Sequence, residues 1–507
     1  LRRKKSVRDR AVICALTVVA TALAAGTVAS ASSGAPSPRL VAIHGSLPAA
    51  PTRGTSTPAG AELRSQGYLV ADQAQYQRDK AAAAAAAPAA RSDTASSTQL
   101  TAAKVTKWAG VSQPTVAPSD STGAVGPSRY VELVNDKFGI YDRTATPPGK
   151  LSTGTLLSIT GDCKGCAVTD PQVIWDPDTN RFYYTALDFT ASLAGTGDDY
   201  LLLGFSKGSD PNGVADWCQY LIGGFGLNVP DYPKLGDTSD FWMIGSNLFD
   251  SGGNYTSALV DWITKPAGTG TFSTCPDPAT FTVGATTLAN PSGGAPFTPV
   301  AVNQIDGSST GYVIALPHVP SSSSISNVLM YTVTNSGGSA AFSAATAISV
   351  GSYSIPPAAP ESGSTFTLDT LDGRFTQAVG AIDPLCHTPA GGPAFAVWTQ
   401  HTVAGGAGSQ VRWDEINTSN NTVCQSGATT STTLDTFNGA VSPDRLVNGT
   451  TALFGSDMVL GYNTSSATTD PTIVMASSVG HAALTAAVKI VGGAGPYTDG
   501  FTCPLAP

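Results

Sequence analysis

The chain has 507 residues, 41% apolar and only 12% charged, with a formal net charge of −9. The apolar fraction is ample for a folded core. The acidic balance repels phosphate backbones and argues against nucleic acid as a ligand.

The first ten residues carry Arg2, Arg3, Lys4, Lys5, Arg8 and Arg10 against Asp9. An apolar stretch follows from Ala11 to about Val28 and ends in Ala29-Ser30-Ala31. A basic start, an apolar middle and a small-residue exit describe a secretory signal peptide over 1–31, with cleavage after Ala31. Its removal takes six basic residues and one acidic residue, leaving 21 against 35, or −14. No second stretch reaches membrane-spanning length. The expectation is a monomer outside the membrane, secreted or wall-associated.

Residues 32–104 are a low-complexity stretch of Ala, Ser, Pro and Thr. Good helix formers predict a short helix within Ala61–Ala87, ended by Pro88. Few apolar anchors accompany it, so the stretch reads as a flexible linker or a pro-segment.

From about residue 105 to 507, runs of four to eight β-branched and aromatic residues alternate with Gly, Pro, Asn, Asp and Ser clusters. Such runs are Tyr130–Val134, Arg181–Leu187, Tyr200–Phe205, Phe241–Ser246, Gly311–Leu316, Val328–Val333, Ala394–Thr399, Val411–Ile416 and Met458–Tyr462. No useful amphipathic helix pattern follows residue 105. A turn-marked phrase recurs, starting at Asp120, Asp170, Asp231, Thr298, Asp372 and Pro443. That period, with strand pairs in each unit, predicts an all-β propeller of roughly six or seven four-stranded blades. Trp175, Tyr183, Trp242, Trp398 and Trp413 should pack between blades.

The phrase resembles one in bacterial secreted β-propeller proteins of largely unassigned function, distantly sialidase-like. The residues that carry it are Gly123-Ala124-Val125-Gly126-Pro127 with Val134-Asn135, Asp170-Pro171-Gln172-Val173 with Trp175-Asp176 and Arg181-Phe182, and Asp231-Tyr232-Pro233-Lys234-Leu235-Gly236. In that family an RWGDY-like phrase opens a last blade. It is missing here, which suggests an incomplete last blade.

Outside the signal peptide stand Cys163, Cys166, Cys218, Cys275, Cys386, Cys424 and Cys503. In an exported protein most should pair. Spacing favours Cys163–Cys166, Cys218–Cys275 and Cys386–Cys424, leaving Cys503 over. The CxxC at Cys163 lies in a Gly- and Asp-rich loop rather than a βαβ unit, so a local disulfide suits it better than redox or zinc chemistry.

The histidines form no metal motif and no serine sits in a GxSxG elbow. Carboxylates are the better candidates. If the repeats superpose, Asp120, Asp170, Asp231, Asp372 and Asp444 gather at one mouth of the channel. Asp170, Asp231 and Asp372 are the candidate catalytic acids. Asp120, Arg374, Asp444 and Arg445 are the candidate ligand contacts, the arginines suiting a carboxylate. Three readings stay open for the acids: the carboxyl pair of a glycosidase, a structural calcium site, and Asx-turns that cap their own backbone. No other cofactor is expected. The leading expectation for function is a propeller binding an extracellular glycan or protein surface. The alternatives are a glycoside hydrolase and a wall-associated adhesive protein.

Overall fold

The computed structural model describes residues 39–42, 69–88, 107–113, 118–161, 168–188, 199–445 and 454–497. The expected signal peptide, Cys163, Cys166 and Cys503 lie outside them.

The fold is a six-bladed β-propeller. Blade one spans Thr122–Val125 to Gly149–Thr155, blade two Val168–Asp176 to Trp217–Gly223, and blade three Val229–Asp237 to Val283–Thr287. Blade four runs from Phe297–Ala301 to Thr346–Tyr353, blade five from Phe375–His387 to Thr422–Ala428, and blade six from Asp435–Pro443 to Val488–Gly492. Within each blade, consecutive strands pair antiparallel, as short β-rich runs joined by tight turns should. The last sheet carries four strands, as do those of blades one and three. The sheets of blades two, four and five carry a fifth strand; in blade four, Ser339–Phe342 and Thr346–Tyr353 both pair with Ile325–Ser336. Arg39–Ala42 adds an outer fifth strand to blade two, and Asn303–Gln304 runs parallel to the first strand of blade five. Ahead of blade one, Lys107 Nζ donates to the Ile490 carbonyl of blade six at 3.3 Å.

Apolar faces of neighbouring blades form the core. Val131, Leu133 and Phe138 of blade one meet Trp175 and Phe182 of blade two. Tyr183 and Phe205 of blade two meet Trp242 and Ile244 of blade three. Trp398 and Trp413 stack at 5.8 Å and face Met458 and Leu460 of blade six. The strand aromatics thus pack between blades, as expected. So does Arg181, buried over the Phe272 ring at 4.4 Å, its guanidinium donating to the Thr179 and Gly268 carbonyls. The Cys218–Cys275 and Cys386–Cys424 disulfides are formed.

The first strand of each blade lies innermost, and each of those in blades two to six is broken by a bulge near its start. The register shifts between Thr169 and Gln172, Asp231 and Lys234, Phe297 and Val300, Phe375 and Gln377, and Phe437 and Ala440. At these breaks the backbone enters the left-handed region at Asp170 (φ 50°), Tyr232 (58°), Thr298 (51°) and Asn438 (49°), with Asp120 (40°) just ahead of the first strand of blade one. Such a φ is costly for a side chain with a Cβ, so the neighbouring blade must hold it. It does so by a polar clamp. Asn135 Oδ1 accepts from Asp170 N at 3.0 Å, Asn247 Oδ1 from Thr298 N at 2.7 Å, and Thr402 Oγ1 from Asn438 N at 3.0 Å. Each clamp ties the second strand of one blade, or for Asn135 the turn directly after it, to the first strand of the next.

Candidate functional site

The bulges turn polar residues toward one end of the channel, here the leading mouth. Bulges beside functional sites commonly re-aim side chains in this way. Asp120, Asp170, Asp231, Lys234, Asp372 and Arg374 gather there from blades one, two, three and five, and all but Asp120 are almost wholly buried. Asn135 Nδ2 donates to Asp120 Oδ2 at 2.5 Å and to the Pro118 carbonyl at 2.8 Å. Thr169 Oγ1 lies 3.0 Å from Asp170 Oδ1.

Burial raises both Asp120 and Asp170. Asp170 rises well above the ordinary range, first through burial and then because Asp120 and Asp231 crowd it. Burial pushes Asp231 up to about 6, against the pull of Arg374, the Leu69 N–H and Lys234. Burial pushes Lys234 down to about 8, opposed by Asp170 and Asp120. Asp372 differs. Burial works to raise it, but Arg374 outweighs burial and holds it below the usual range. Arg374 Nε and Nη2 both donate to Asp372 at 2.8 Å. Tyr232 stands beside this network, with Lys234 Nζ 3.6 Å from its ring centre and Arg374 at 5.2 Å.

Lys234 and Arg374 supply the positive charge that a calcium ion would bring to these acids. Asx capping and cluster chemistry coexist, since Asp372 Oδ1 also accepts from Arg374 N at 3.1 Å.

Two of the expected contacts fall elsewhere. Asp444 and Arg445 follow the end of the first strand of blade six, at the opposite mouth. Asp444 Oδ1 accepts from Gly455 N at 2.7 Å and Asp457 N at 3.1 Å, a turn-capping role. Arg445 donates to the Val125 carbonyl, where blade one's first strand ends. The expected alignment took Pro443 as a unit start, whereas the structural equivalent of Asp170 in blade six is Asn438. Arg374 and Arg445 therefore form no arginine pair. The trailing mouth is organised by structural bonds. Lys265 Nζ lies 2.8 Å from both Asp176 and Asp237, and Asp237 Oδ1 accepts from Gln304 N at 2.8 Å.

The leading mouth is covered by the segment expected as a linker. Helix α1, Gln73–Ala86, is capped by Asp72, whose carboxylate accepts from Gln75 N at 2.8 Å. Just before it, Leu69 N donates to Asp231 Oδ2 at 3.0 Å, and Arg374 Nη2 donates to the Leu69 carbonyl at 3.2 Å. Tyr76 Oη donates to Asp369 at 3.0 Å. Lys80 is buried and donates to Thr370 Oγ1 at 2.7 Å and to the Leu371 carbonyl. The buried positions of α1 are Asp79 and Lys80, not an apolar stripe. A cleft of about 560 Å³ remains between α1 and the Ser354–Ile355 and Ala404–Gly408 segments.

Sequence reasoning missed Lys234, Asn135 and Leu69. Lys234 stood inside the recognised DYPKLG phrase, and Asn135 in the VN pair. Nothing in the sequence marks Leu69.

No protein-family profile matches the chain, and no curated protein matches it significantly. Among solved structures, it is similar to an ACO/RPE65 chimera, with TM-score 0.41 and 10% identity over 75% of this chain and 73% of that one. It is also similar to the exo-β-1,3-galactanase 1,3Gal43A from Clostridium thermocellum, with TM-score 0.29 and 11% identity over 61% of each chain. For exo-β-1,3-galactanase from Phanerochaete chrysosporium the TM-score is 0.30, at 9% identity over 71% of this chain and 76% of that one.

Proposed function

We propose that the protein works outside the cell and binds a glycan at the leading mouth, once residues 69–88 have left it. The observation that carries this is the convergence of Asp120, Asp170, Asp231 and Asp372 with Lys234, Arg374 and the Tyr232 ring. Carboxyl acceptors interleaved with fixed cationic donors suit the many hydroxyls of a sugar, and a tyrosine offers a face for its C–H surface. Disulfides are at home in an oxidising compartment. No described helix is long and apolar enough to cross a membrane.

The cover suits removal. A helix of fourteen residues is marginal alone, and this one is held by polar bonds. The test is a protease site placed between residues 92 and 100 of the full chain. Cleavage followed by a glycan array and calorimetry should reveal binding that the uncleaved protein lacks and that Asp231→Asn or Arg374→Gln weakens. Release of 69–88 with no glycan bound would overturn the reading.

A second reading, glycoside hydrolysis, is favoured by one observation. Burial pushes Asp231 up to about 6, while Arg374 keeps Asp372 ionised against burial. Carboxyls whose environments drive them apart are how acid and base roles are divided. Aryl-glycosides offered to the cleaved protein separate the two readings. Turnover abolished by Asp231→Asn supports hydrolysis, and binding without turnover removes it.

A further inference from the structure

A second polar cluster lies away from the mouth, between blades five and six. Asp383 comes from the first strand of blade five, Glu415 from its third strand, and His481 from a turn after the third strand of blade six. One ligand atom from each lies within 4.8 Å of the others. His481 Nε2 is 2.5 Å from Asp383 Oδ2 and 3.5 Å from Glu415 Oε2.

Glu415 is the informative member. It is 0% exposed, yet neither of its carboxyl oxygens has a hydrogen-bond partner. A buried carboxylate left without a partner costs several kcal/mol, roughly, unless a cation meets it. Among the described residues no Lys or Arg forms an ion pair with it. Cys386 and Cys424 are close enough to count as ligands by distance, but they are joined to each other and form a wall instead. His481 is held in the left-handed region at φ 63°, which turns its ring toward the two acids. Its turn is braced by Gly480 N donating to Asp457 Oδ1 at 2.7 Å.

We propose that Asp383, Glu415 and His481 bind one divalent transition-metal ion, zinc before calcium or magnesium. One imidazole nitrogen with two carboxylate oxygens is a borderline set that hard cations use little. Three protein ligands leave a fourth position, and the His481 side chain, 21% exposed, opens that position to solvent. The ion would fasten the third strand of blade six to blade five, where Asp383 and Glu415 already sit in a paired sheet.

The test uses the full chain with free thiols alkylated, dialysed against chelator and titrated calorimetrically with zinc chloride, then with calcium chloride. One zinc equivalent is expected, weakened at least about 100-fold in His481→Ala and in Glu415→Gln, with calcium bound far more weakly. Cobalt(II) in the same site should give visible bands that both variants lose. No stoichiometric zinc in the native chain, or equal zinc in native protein and variants, would overturn the proposal. Should Glu415→Gln fail to fold, His481→Ala on its surface turn decides alone, and the native cobalt spectrum must still report nitrogen and oxygen ligation.

Discussion

Asp261 allows a sharp test of the blade packing. It sits in the third strand of blade three, between Leu259 and Ile263, whose side chains pack against blade two. The carboxyl is 0% exposed and neither oxygen has a hydrogen-bond partner. Burial alone pushes it from 3.8 to about 8. The folded protein therefore keeps a proton that the unfolded chain gives up near 3.8. Between those values the native state binds more protons, so stability falls as pH rises. The group's contribution is fully present below 3.8 and is lost as pH climbs through about 8. Each pH unit is worth about 1.4 kcal/mol, so this group removes roughly 3 kcal/mol between pH 5 and 7 and about 6 in all. Asp261→Asn has the same shape and no titration. Its stability relative to the native protein should rise by about 1.4 kcal/mol per pH unit from pH 5 to 8, whatever constant offset the amide brings. Other raised groups, such as Asp237, titrate equally in both proteins and cancel. Denaturant unfolding followed by tryptophan fluorescence at four pH values measures the difference. A difference that stays flat over that range would refute a neutral, unpartnered carboxyl at the interface of blades two and three.

Lys265→Met removes the cation between Asp176 and Asp237, both at 2.8 Å, and leaves two buried carboxyls facing each other. Denaturant unfolding at pH 8 should show a loss of about 3–5 kcal/mol, and a loss under about 1 would contradict a buried bridge of this kind. Replacing Cys218 and Cys275 by serine opens a loop of 57 residues. Loop entropy puts the loss at about 4 kcal/mol, read as a fall in unfolding midpoint that reductant reproduces in the native protein. Lys80→Ala removes the buried contacts that α1 makes with Thr370 and Leu371. Hydrogen exchange across Gln73–Ala86 should quicken by about 10–100-fold, from roughly 1–3 kcal/mol, while blade exchange stays unchanged.

The blades were legible because each needs several short β-rich strands and tight turns, and both leave local marks. The pairs Cys218–Cys275 and Cys386–Cys424 followed from their spacing, and the inter-blade tryptophans from their place in the β-rich runs. At the mouth, Asp120, Asp170, Asp231, Asp372 and Arg374 were legible as residues that open a repeat. Asp444 and Arg445 were misplaced because an Asp- or Pro-marked turn stands at both ends of an inner strand, and sequence does not say which. The true common position is the left-handed residue of the bulge. It is Asp, Tyr, Thr or Asn in turn, so it shares a backbone angle and not a side chain. The docking of α1 was illegible for a related reason. Helix docking is read from an apolar stripe, and this helix buries Asp79 and Lys80.

The same reasoning explains why the two polar clusters differ in what sequence reveals of them. The mouth is built from the leading residues of successive repeats, so one alignment, even an imperfect one, brings most of its members into view. Asp383, Glu415 and His481 belong to three unrelated positions in two blades, and only the pairing of strands brings them within 4.8 Å. In Trp398–Glu415 register the side chains of Trp413 and Glu415 point the same way, one into an apolar cluster with Met458, the other toward His481. A strand that places a carboxylate in line with a buried tryptophan gives up apolar contact at that position. What offsets that loss has to be supplied by the facing blade, and the facing blade offers a histidine.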